Sequence, residues 1–69
     1  MIEVFKTNVL EPKDAARMIT FLSLEFPGHR INFDLNDCDN VLRIEGRNFD
    51  VQKIILVLKE NGFECEPLD

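Results

Sequence analysis

The spacing of apolar positions switches repeatedly between two residues and three to four along this chain, and each switch marks an element. Residues 2–9 read as a strand of ambiguous face, because Ile2 and Val4 alternate on one side while Phe5 and Val9 fall off that register. If Ile2 and Val4 point inward, Phe5 points toward the uncovered face of the sheet. Ala15, Met18, Ile19, Leu22 and Phe26 then recur at helical spacing and form one apolar stripe. Pro12 suits the first helical position, where its missing N–H costs nothing. Glu11 is a mediocre N-cap, and Asp14 is an acid in the first turn, where the helix dipole favours it. Pro27-Gly28 ends this helix.

Ile31, Phe33 and Leu35 alternate with Arg30, Asn32 and Asp34, the pattern of a half-buried strand. The Asn36–Asn40 stretch is a turn, and Leu42 and Ile44 continue as the returning strand of a hairpin. Val51, Ile54, Ile55 and Leu58 mark a second amphipathic helix, closed by Asn61 and a left-handed Gly62. Phe63 to Leu68 is a last short strand. The order β-α-β-β-α-β with right-handed crossovers predicts an α+β, ferredoxin-like sandwich. Its antiparallel sheet has four strands in the order 4-1-3-2, with both helices on one face. Three connections then gather at one end: residues 9–14, the hairpin turn 36–40, and Asn61-Gly62.

Composition narrows the choice of function. Sixty-nine residues form a single domain spanning 1–69. A chain so short hides only about 60% of the surface it exposes when unfolded. A formal charge of −5 opposes binding to nucleic acid or to anionic lipid. No apolar run approaches the roughly 20 residues that cross a bilayer, and the first residues read as strand, not leader, so the cytoplasm is the expected compartment. No cofactor is expected.

The pieces Phe5-Lys6-Thr7-Asn8, Ile31-x-Phe33-Asp34, Ile44-Glu45-Gly46 and Gly62-Phe63-Glu64 occur in an order and spacing that resembles a heavy-metal-associated domain of the copper-chaperone type. Such domains hold one soft cation between two thiolates in a Met-x-Cys-x-x-Cys loop. Counting from the first strand, Val9 falls at the methionine, and Glu11 and Asp14 fall at the two cysteines. Counting back from Pro27-Gly28 gives Pro12 and Ala15. Neither register supplies a thiol, so the family's ligands transfer to no residue of this chain.

Two other chemistries remain. Glu11 and Asp14 form a carboxylate pair that a harder cation could use, with Cys38 of the neighbouring hairpin as a further ligand. The competing assignment is that Glu11 caps the helix and Asp14 answers its dipole. Cys65, between Glu64 and Glu66, reads as a buried, inert residue that forms no disulfide with Cys38. His29 reads as a solvated loop histidine without a second base or nucleophile, and catalysis is not expected. The remaining feature is apolar: Phe21 and Leu24 on the first helix, and Leu56 and Val57 on the second, lie off the core stripes. If contiguous, they form a surface for a homodimer or another protein partner. A small-molecule regulatory domain is a third reading, resting on fold analogy alone.

Overall fold

The computed structural model describes residues 1–68. Strand β1 (Ile2–Thr7) leads to helix α1 (Pro12–Glu25), then to strands β2 (Arg30–Asp34) and β3 (Val41–Glu45), helix α2 (Val51–Glu60) and strand β4 (Cys65–Pro67). All pairings are antiparallel, and the sheet order is β2-β3-β1-β4, the expected 4-1-3-2 read from the other edge.

Phe5, Leu42 and Ile44 are fully buried and join Ala15, Met18, Leu22 and Phe26 of α1 and Ile54, Val57 and Leu58 of α2 in one cluster. One face of the sheet therefore carries the helical layer. The opposite face shows Arg30, Asn32, Asp34, Arg43 and Lys6, all exposed. The ambiguity of β1 resolves against the Ile2–Val4 side: Phe5, Thr7 and Val9 point into the core, and Ile2 is 49% exposed. A buried phenyl ring removes more apolar area from water than an isoleucine at the strand's first position. The register thus follows Phe5, although that choice also buries the Thr7 hydroxyl.

The two helices start differently. Asp50 caps α2, its side chain accepting from the Gln52 N–H at 2.9 Å. Phe49 before it and Ile54 four positions into the helix are both buried in the core, the arrangement of a hydrophobic staple. At α1 the Glu11 side chain makes no capping bond, and only its carbonyl accepts, from Asp14 and Ala15. The expected capping role of the Glu11 carboxylate is therefore not realised. A glutamate's longer arm lacks the reach-back geometry of the short capping residues. Leu10, the residue before it, is 69% exposed and staples nothing. Helix α2 ends as expected at Gly62, in the left-handed region with φ 87°, with the Phe63 N–H donating to the Leu58 carbonyl.

Candidate interaction surface and the loop end of the sheet

Thr7 and Asn8, at the end of β1, draw the three connections together. The Thr7 N–H donates to the Asp39 carbonyl at 3.0 Å, and its hydroxyl donates to the Asn40 carbonyl at 2.5 Å. The same hydroxyl accepts from the Val9 N–H at 3.2 Å. Asn8 Oδ1 accepts from the Glu64 N–H at 2.8 Å, which ties in the lead to β4. Asn40 takes a left-handed conformation, φ 47°, which asparagine tolerates better than most residues. Thr7 is thus a buried hydroxyl with every bond directed at loop backbone, and no buried side-chain polar atom among the described residues lacks a partner.

Glu11 and Asp14 both lie at this end. Glu11 is exposed, while Asp14 is partly buried and faces Arg17 at 3.5 Å, one helical turn on. Potential ligands converge in Asp37, Cys38 and Asp39 of the hairpin, whose donor atoms lie within 4.8 Å of one another. Asp37 Oδ1 already accepts from the Asp39 N–H at 2.9 Å, a bond internal to the turn. Cys38 is exposed. Cys65 is partly buried opposite Thr7, and burial, reinforced by the charge of Glu66, pushes its thiol up to about 12. It stays protonated and unreactive at neutral pH. Both cysteines are free, as expected.

On the outer side of the helical layer, Leu24 is 77% exposed, Leu56 50% and Phe21 38%. Val57 was expected among them and belongs instead to the core at 8% exposure. The two helices pack against each other as well as on the sheet, so the buried arc of α2 is wider than one stripe. Val57 falls at the bottom of the seam between them. It helps line an open groove of about 320 Å³ with Phe21, Leu24, Glu25, Glu60 and Asn61. Lys53 of α2 bonds to Glu25 of α1 at 2.9 Å, and that carboxylate holds the lysine above its ordinary value. Both side chains are about half exposed, so the pair adds little stability.

At the other end of the sheet His29 is half-buried, with its ring held in place. Its ring meets Phe26 and Phe49 edge-on, with centroids 5.9 and 5.5 Å away. Nε2 lies 2.7 Å from the Arg47 carbonyl and Nδ1 3.1 Å from that of Pro27. The ring rests against Gly46, where an added Cβ would meet His29 Cδ2 at 2.3 Å. Any side chain at position 46 would therefore push the His29 ring out of this place. Phe49, a core residue that the apolar spacing does not reveal, is held by the same contact.

No helix is long and apolar enough to cross a membrane among the described residues. Comparison with protein-family models, with curated proteins and with solved structures gave no match.

Proposed function

We propose that this chain is a non-enzymatic protein-interaction module of ferredoxin-like build, derived from the heavy-metal-associated architecture and without its soft-metal site. The kinship rests on the order of the quoted sequence pieces and on the gathering of loops around Thr7 and Asn8 where that family carries its ion. The observation that carries the interaction role is the exposure of Phe21 and Leu24 beside Val57 in the groove between the helices, with Leu56 exposed on α2. Helices packed on a sheet ordinarily present polar residues on that side. Clustered apolar side chains there suit a contact with another chain. A photo-crosslinking residue at position 24 tests this in the native cell. A discrete cross-linked species that disappears when Phe21 and Leu56 are changed to Ser supports the role; a featureless background identical in both proteins removes it.

A second reading is favoured by the convergence of Asp37, Cys38 and Asp39. In it the hairpin holds a divalent cation through one thiolate and carboxylate oxygens, as zinc accepts. Glu11 and Asp14, the carboxylates at the former metal loop, would supply any further ligands. Calorimetric titration with Zn(II) checks it: saturable binding abolished by Cys38→Ser supports it, and a flat titration eliminates it.

A further inference from the structure

The two edges of the sheet are not equivalent. Strand β4 is three residues long, ends in Pro67, which has no N–H to offer, and is flanked by Glu64 and charged at Glu66. Shortness, charge and proline are the devices that keep an edge from pairing. The other edge, β2, is longer, has no proline, and carries one charge of each sign, at its two ends. It runs for five residues, Arg30-Ile31-Asn32-Phe33-Asp34, without proline, glycine or lysine, and pairs only with β3.

The sequence of β2 is chemically symmetric about its centre: cation, apolar, asparagine, apolar, anion. We infer that β2 pairs antiparallel with the β2 strand of a second copy of this chain, about a two-fold axis through Asn32. In that register Arg30 faces Asp34 of the second copy, Ile31 faces its Phe33, and the two Asn32 residues meet. Both charge pairs then lie on the open face of the sheet, and both Ile–Phe pairs lie on the face that carries the helices. Directly opposed charges and aliphatic–aromatic neighbours are the favourable cross-strand pairs. Ile31 and Phe33 are only partly buried in the single chain, so the second copy covers apolar surface that α1 leaves accessible.

The alternatives are worse. Parallel pairing in register sets Arg30 beside Arg30 and Asp34 beside Asp34. A shift of one residue places Arg30 against Phe33 and mismatches the faces. The groups needed are available. The ion pairs found among the described residues involve neither Arg30 nor Asp34. Asp34 Oδ1 accepts from the Asn36 N–H at 3.1 Å, which leaves its second oxygen for a guanidinium. Arg30 also lies opposite Glu45 on β3, so pairing would set the arginine between two carboxylates.

The surface is distinct from the helical-layer rim, and the test separates the two. Sedimentation of the wild type should show a concentration-dependent dimer. Arg30→Asp and Asp34→Arg should each weaken it roughly tenfold, since each creates two like-charge pairs. An equimolar mixture of the two variants should restore wild-type association, because both opposed pairs are then again of opposite sign. A monomer at the highest soluble concentration overturns the inference, as does a dimer insensitive to either change or a mixture that does not recover. If either variant loses its far-ultraviolet circular dichroism, Asn32→Cys in a Cys38→Ser background decides. Mild oxidation should then link two chains at the axis, and a product that stays unlinked overturns the pairing. A dimer lost on changing Phe21 and Leu56 to Ser but kept in the charge variants assigns self-association to the helical layer and refutes the edge.

Discussion

The two helix entrances are built on opposite principles. Helix α2 begins with local chemistry: Asp50 accepts the Gln52 N–H, and Phe49 and Ile54 share the core on either side of the cap. Helix α1 begins with almost none. Its Glu11 side chain is idle, Leu10 is exposed, and the preceding strand end is held instead by Thr7 and Asn8 bonding to residues more than thirty positions away. A locally specified entrance is set chiefly by its own neighbouring residues. A globally specified one presents its loop in a fixed frame while leaving the loop's own side chains unconstrained, which is how sites are carried on scaffolds.

The contrast can be broken from the α2 side first. Phe49→Ala removes a buried ring, its staple and its contact with His29, and should cost about 3–4 kcal/mol in urea unfolding. Next comes the hub of the other entrance. Thr7→Val keeps the shape but strands the Val9 N–H and the Asn40 carbonyl, and should cost about 2 kcal/mol. A smaller effect separates the caps: Asp50→Ala should lose about 1 kcal/mol. Glu11→Ala should lose nothing measurable, and Glu11→Ser should gain a few tenths to about 1 kcal/mol by supplying the missing bond. An equal loss at Asp50 and Glu11 would erase the distinction. The last test leaves stability untouched. At pH 8 a disulfide reagent should modify a single thiol per native chain, and Cys38→Ser should abolish that reaction. Cys65, pushed up to about 12 by burial, should react only after unfolding.

Much of this architecture is legible in the chain. The Ala15–Phe26 stripe, the Ile31–Leu35 alternation and the Asn61-Gly62 stop each follow a local rule, and each sits where that rule puts it. The failures share a different cause. The inward face of β1 includes Thr7, a polar residue whose burial is tolerated only because the hairpin supplies a carbonyl from 33 residues on. Val57 is buried because α2 meets a second helix as well as the sheet, which a single-stripe reading ignores. Phe49 stands alone among polar neighbours, yet an aromatic just before an aspartate cap, with Ile54 four positions into the helix, is a readable staple. His29 could not be placed without knowing that Gly46 clears a space beside it. At the candidate site the absence of any cysteine between Val9 and Ala15 could be read directly. That Asp37, Cys38 and Asp39 bring their donor atoms together could not be read, because it depends on how the turn folds back on itself.

Pro67 has a consequence for how many chains can join. A protein with two receptive margins adds neighbours without limit and grows into a ribbon; one with a single receptive margin is saturated as soon as it finds its twin. By closing the β4 side, Pro67 and its glutamate neighbours turn an aggregation hazard into a counting device. The resulting pair would present its two helical rims outward at a fixed separation, so that any partner offering two matching sites would be gripped twice for one encounter.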